Sequence, residues 1–158
     1  LIEAMKKIVN TIPNCKLYLI GKGIFEDKYK NDIVFAGLEN NVNMTGYRSD
    51  TNKLLKLADL CVATSKREGL PINLVEAALS GVPILAYKNR GHVEIVQNDV
   101  NGYSFESENE LVSRVIQLYK DKELLKNLKS NCRKSAEKFT LDNALKEQIE
   151  IYESEMKD

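Results

Sequence analysis

Ser65-Lys66-Arg67-Glu68-Gly69-Leu70-Pro71-Ile72-Asn73-Leu74-Val75-Glu76-Ala77-Ala78-Leu79-Ser80-Gly81-Val82-Pro83 follows the apolar run Leu60 to Thr64 and leads into a second one, Val82 to Tyr87. Inside it, Pro71 suits the first position of a helix, where its missing N–H costs nothing, and Ile72 to Ser80 carry helix-forming residues. Gly81 fits a left-handed C-terminal cap with Pro83 beyond it. A helix between two continuous apolar runs predicts parallel strands covered on both faces, because alternation of polar and apolar residues is missing from both runs.

The same alternation extends in both directions. Leu1, Met5 and Ile8, with Ile2 and Val9, have helical spacing; after Pro13-Asn14, Cys15 to Ile20 reads as a short buried strand ending at Gly21-Lys22-Gly23. A helix is expected between Glu26 and Leu38, then a strand from Val42 to Thr45 ending at Gly46, then a helix capped by Asp50 and carrying Leu54, Leu55, Leu57 and Ala58. Beyond Tyr87, His92 to Gln97 suits a short helix, and Asn101-Gly102 signals a turn before a last strand, Tyr103 to Phe105. Three helices close the chain: Leu111, Val115, Leu118 and Tyr119 share one face, Leu124, Leu125 and Leu128 a second, and Leu141, Ala144, Leu145, Ile149 and Tyr152 a third. The expected fold is α/β, a Rossmann-like open parallel sheet with helices on both faces, as a single domain over residues 1–158 whose part 107–158 is helical. No internal repeat or flexible linker divides it.

A length of 158 residues with 43% hydrophobic and 29% charged residues supports one packed core. Lys plus Arg and Asp plus Glu number 23 each, so no overall basic field favours nucleic acid or an anionic membrane, and any partner must be chosen by a local site. The interleaved Lys and Glu from Lys120 to Lys138 read as a solvated helix face. The apolar runs fall far short of the roughly 20 residues that span a bilayer. Cys15, Cys61 and Cys132 are an odd set without close spacing, which speaks against disulfides and zinc; the thiols read as inert, two of them in strands, in a reducing cytoplasm. Opening in helical spacing at Leu1, without Met or a capping residue, the chain reads as truncated at its N-terminus.

Two stretches are candidates for chemistry. Gly21-Lys22-Gly23 lacks a third glycine at the position of Glu26, and no Walker motif follows, so it reads as a tight turn. Ser65 to Gly81 lies instead at the carboxyl end of a strand, where open α/β sheets bind ligands. The helix that follows offers free N–H groups and a positive dipole end to a phosphate or to electron-rich oxygens, and Gly69 lets a ligand approach the backbone. Glu68 is an acceptor-only carboxylate suited to sugar hydroxyls, and Glu76, one to two turns along, can accept from two ribose hydroxyls. Alone, each is also readable as an ordinary loop or helix-surface acid.

The combination of Glu68 and Glu76 eight positions apart, flanking Gly69-Leu70-Pro71, then Glu76-Ala77, a small-residue helix and Gly81-Val82-Pro83, resembles the signature of retaining GT-B glycosyltransferases of family four, the glycosyl transferases group one. The resemblance covers nearly the whole chain, including Leu17 to Gly23, Gly46, Ala58-Asp59, Gly91 with Glu94-Ile95-Val96, and Asn101-Gly102. It implies the C-terminal, donor-binding half of a GT-B fold. By similarity Glu68 is the candidate catalytic residue, contacting the donor sugar hydroxyls; Gly69 and Leu70 lend amides near sugar and phosphate, Pro71 starts the helix and Glu76 holds the ribose. Ser65 and the turn Gly46-Tyr47-Arg48 lie near base and ribose.

The resemblance further implies transfer of a hexosyl-like group, with retention, from a UDP-sugar or GDP-sugar to an acceptor sugar or lipid-linked glycan, in polysaccharide or glycoconjugate synthesis. No cofactor or metal is implied. The acceptor site belongs mainly to an N-terminal domain, and the basic residues that pair with the diphosphate belong to the first strand and loop of the C-terminal domain; both regions are expected to precede Leu1, so the chain alone is expected to be inactive, with Lys66 and Arg67 as local substitutes. Membrane association is expected only through that missing part. Arg90 departs from the family, which often has glycine there; like His92, it reads as a loop residue. A rival reading is a non-catalytic nucleotide-sugar-binding or assembly module of the same fold; a third is a GT-B epimerase or phosphorylase with other upstream residues.

Overall fold

The computed structural model describes residues 1–156; Lys157 and Asp158, the end of the expected unit, lie outside the described residues. Helices and strands alternate through α1 (Ile2–Thr11), β1 (Leu17–Ile20), α2 (Glu26–Phe35), β2 (Val42–Gly46), α3 (Thr51–Leu55), β3 (Cys61–Ala63), α4 (Ile72–Leu79), β4 (Ile84–Tyr87), α5 (Arg90–Val93) and β5 (Gly102–Phe105). Three longer helices follow, α6 (Glu108–Lys120), α7 (Lys122–Ala136) and α8 (Leu141–Glu155), with a 3-10 turn, Glu137–Phe139, before the last.

Every strand pairing is parallel. Leu17 lies opposite Val42 in the β1–β2 ladder, while Cys61 faces Ile84 and Ile84 faces Gly102 in the β3–β4–β5 ladder. Helices cover both faces, and β4 shows why its sequence is apolar throughout. Leu85 enters one cluster with Ala4, Met5 and Ile8 of α1, Leu111, Val115 and Leu118 of α6, and Leu128 of α7. Its neighbours Ile84 and Ala86 point the other way, into a cluster with Leu74, Val75, Ala77 and Ala78 of α4, Ile95, Val96 and Ala136. The α/β class with parallel strands and helices on both faces is therefore observed.

The ladder comes in two parts, however: no backbone pairing joins β1 to β3. The two parts share side chains, since Leu17 and Leu19 of β1 pack on the same cluster as Leu60, just before β3, and Val62 within it. Burial raises the thiol of Cys15, just before β1, and the carboxylate of Asp59, just before β3, adds to that rise. The expectation of a fully buried β1 is accordingly corrected: Leu17 and Leu19 are half-buried, whereas Tyr18 is 58% and Ile20 42% exposed. Successive side chains of a strand point to opposite faces of the sheet, so Tyr18 and Ile20 share the one face of β1 that lies open to solvent.

Other differences are local. Cys15 precedes β1 instead of lying in it, and α5 begins at Arg90 and ends at Val93, upstream of the expected His92–Gln97. Tyr119 is exposed, off the buried face of α6, and the apolar stripe of α8 (Leu141, Leu145, Ile149 and Tyr152) lies in solvent. The first turn of α8 borders a groove of about 430 Å³ lined by Leu70, Ile72, Val75, Lys138, Phe139, Ala144 and Glu147. Among the described residues no helix is long and apolar enough to cross a membrane.

Candidate functional site

β3 ends at Ala63, and residues 64–70 run without regular structure to α4. Pro71 is buried at the N-cap, one position earlier than expected, and its carbonyl accepts from Leu74 N (2.9 Å) and, more weakly, Val75 N (3.4 Å). No side chain caps this end, which leaves the N–H groups of Ile72 and Asn73 without an acceptor among the described residues. The far end of α4 is closed: Gly81, at φ 78°, places its N–H on Ala78 O (2.9 Å) and lets Val82 N reach Ala77 O (3.0 Å), the paired bonds of a glycine C-terminal cap. Helix α4 is thus satisfied at one end and open to an incoming acceptor at the other.

Glu68, Gly69 and Leu70 are exposed in the loop, and Glu76 is exposed on α4, with no cation paired to either acid among the described residues. Glu76 carries no burial cost, because its side chain leaves the apolar face formed by Leu74, Val75, Ala77 and Ala78. Lys66, Arg67 and Arg90 are exposed.

A third segment meets this loop. Asn89 caps α5, its Oδ1 accepting from His92 N (2.9 Å), and its Nδ2 donates to the Ser65 carbonyl at 2.7 Å. His92 is buried, with Nδ1 2.6 Å from the Tyr87 carbonyl. A carbonyl only accepts, so Nδ1 carries the proton, and the 3.0 Å approach of Asn89 Nδ2 to Nδ1 brings two donors together. His92 Nε2 is then a buried acceptor with no partner among the described residues, a deficit of about 1–3 kcal/mol. Gly91 lies against the loop so closely that an added Cβ would stand 2.1 Å from Gly69 O and 2.7 Å from Glu68 O.

Gly46, Tyr47 and Arg48 sit at the end of β2, in the other ladder. Gly46 O accepts from Gly21 N (2.8 Å), Tyr47 is 74% exposed, and Arg48 forks onto Asp50 through Nε (2.8 Å) and Nη2 (2.6 Å). This pair corrects the expected cap: Asp50 precedes α3, but its carboxylate is taken by the guanidinium and makes no cap bond. The pairing also holds Asp50 below the usual carboxylate range and raises Arg48. The structure therefore brings Ser65, Glu68 and Gly69 together with Asn89, Gly91 and His92, and no hydrogen bond or ion pair among the described residues links them to Gly46–Arg48. Asn89 escaped the sequence reading; its one signal was an Asn placed to cap a short turn. Among the described residues no group of three or more His, Cys, Asp or Glu could hold a metal ion.

Comparison with known proteins places this geometry. The family model for glycosyl transferases group 1 matches residues 1–135. The chain is 34% identical to EpsD of Bacillus subtilis over 99% of its own length and 42% of that protein, and 31% identical to the poly(glycerol-phosphate) alpha-glucosyltransferase of the same organism over 95% and 24%. The crystal structure of HepE from Anabaena in complex with UDP superposes with a TM-score of 0.87 at 28% identity, covering 98% of this chain and 44% of that one. The chain thus spans less than half the length of each of these relatives. With a match over most of its residues and the fold of GT-B glycosyltransferases, it belongs to the glycosyl transferases group 1 family.

Proposed function

We propose that this chain is the C-terminal, donor-binding domain of a retaining glycosyltransferase. It holds a UDP- or GDP-sugar and presents it for transfer of the glycosyl group to an acceptor hydroxyl in polysaccharide or glycoconjugate synthesis. The observation that carries this reading is the uncapped start of α4, where the N–H groups of Ile72 and Asn73 lack acceptors between exposed Gly69 and exposed Glu76. Unpaired amides at the positive end of a helix dipole hold a diphosphate and receive negative charge as the glycosyl group leaves. Glu68 takes the sugar hydroxyls, and Glu76 takes those of the ribose. Ser65 and Gly46-Tyr47-Arg48 flank the base, with the exposed Tyr47 ring as a stacking surface.

The UDP bound to HepE favours a uridine donor. Coverage of 42% and 24% of two relatives supports a longer polypeptide whose remainder supplies the acceptor site and further positive charge, so the 158 residues alone transfer nothing. Three free cysteines, all with pKa values raised by burial, favour a reducing cytoplasm.

Titration with UDP and with GDP, read by backbone amide shifts, tests the assignment. Glu76→Ala should weaken nucleotide binding about ten- to a hundredfold, the equivalent of about 1.5–3 kcal/mol for a charged hydrogen-bond acceptor. Unchanged affinity in that variant removes the ribose role, and no response to either nucleotide removes the donor site.

A further inference from the structure

We propose that Asn89 and Gly91 are positioning residues of the donor site, a clamp that fixes the backbone of Ser65–Gly69 where the sugar is read. The inference rests on the donor-site reading above and deepens it.

The loop between β3 and α4 has little of its own to hold it. Residues 64–70 are exposed and irregular, and the contact from Asn89 is the one hydrogen bond they make outside the strand ladder and helices among the described residues. The clamp itself is well anchored. Starting at the carboxyl end of β4, the Tyr87 carbonyl accepts from His92 Nδ1 at 2.6 Å, His92 N donates to Asn89 Oδ1 at 2.9 Å, and Asn89 Nδ2 donates to Ser65 O at 2.7 Å. With the oxygen of the Asn89 amide committed to the helix cap, only its nitrogen can face Ser65. The buried His92 ring ties the turn to the rigid central strand.

Gly91 closes the other end of the same segment. Its place in α5 needs no left-handed backbone, so space explains the glycine: a Cβ would meet backbone oxygens of Gly69 and Glu68, which cannot rotate away as a side chain could. The two contacts grip the loop at Ser65 and at Glu68-Gly69, and between them they set where the Glu68 carboxylate and the Gly69 amide point. Placement errors of an ångström in such groups are felt strongly in recognition. Glu76, by contrast, stands on α4, beyond the clamp.

The sugar should therefore be more sensitive to the clamp than the nucleotide. Asn89→Asp keeps the oxygen that caps α5 but sets a carboxylate against the Ser65 carbonyl, whereas Asn89→Ala loses both bonds; Gly91→Ala pushes the loop directly. Calorimetry on the full-length protein would compare the pairs UDP and UDP-glucose, UDP and UDP-N-acetylglucosamine, and GDP and GDP-mannose. For the pair that the unsubstituted protein binds, Gly91→Ala, which pushes at Glu68-Gly69, should weaken the nucleotide-sugar about tenfold or more while nucleoside diphosphate affinity stays within about twofold; Asn89→Asp, which acts at Ser65 beside the base, should weaken both, the nucleotide-sugar several-fold more. Equal losses for sugar and nucleotide, or a loss in Asn89→Ala alone, would reduce these residues to structural caps and overturn the clamp while leaving the donor site standing. Binding of no pair by the unsubstituted protein removes the donor-site reading and the clamp with it.

Discussion

Burial pushes the thiol of Cys61 up to about 11 and that of Cys132 up to about 12. Since the folded state holds these groups protonated, their contribution to stability is complete below about 9 and is lost as the pH rises through about 11 to 12. Cys132→Ala should accordingly flatten the alkaline limb of a stability-versus-pH curve measured by denaturant unfolding, and an unchanged limb would sink that assignment. That the three cysteines pair with one another nowhere was legible from their spacing. Asp50 was less so, because a cap and an ion pair compete for one carboxylate and Arg48, two residues earlier, lies within reach. Asn89 was illegible for a firmer reason: its partner is a backbone carbonyl 24 positions away, and a carbonyl leaves no trace in a sequence.

At the scale of elements, the alternation of strand and helix was readable from apolar runs and from the Pro and Gly that bound α4, with ends displaced by up to four residues, as at the end of α5. Asn101-Gly102 was read as a turn before the last strand; Asn101 does end a turn, but Gly102 already opens β5, and Asn101 is fully buried. Its Oδ1 accepts from Gln97 N, and its Nδ2 donates to Ile95 O and to Ser135 Oγ, each at 2.8 Å, so one amide joins the β4–β5 connection to α7. Asn101→Ala strands those partners away from water and should cost about 2–4 kcal/mol, seen as a lower denaturant midpoint. A loss under about 0.5 kcal/mol would mean the connection holds α7 by apolar packing alone. The stripe on α8 was also legible as a pattern, but periodicity cannot say what covers a face.

For the whole molecule, parallel strands with helices on both sides followed from sequence, because each crossover is local. The division of the ladder did not, since pairing between β1 and β3 is decided by edges that are distant in the chain. The candidate site was half visible in the same way: Glu68, Gly69 and Glu76 lie in one stretch, while the segment that packs against Ser65 to Gly69 arrives from beyond β4. The divided ladder makes a seam that is crossed by side chains but by no main-chain hydrogen bond between strands, and such a seam is where a protein opens first. Hydrogen exchange should show two classes, with Leu19 and Met44 amides released by a cheaper sub-global opening than Leu85 and Ala86; equal opening free energies across the seam would refute it. A ligand touching Tyr47 and Arg48 on one bank and Ser65 to Glu76 on the other would then act as a non-covalent staple, merging the two exchange classes into one.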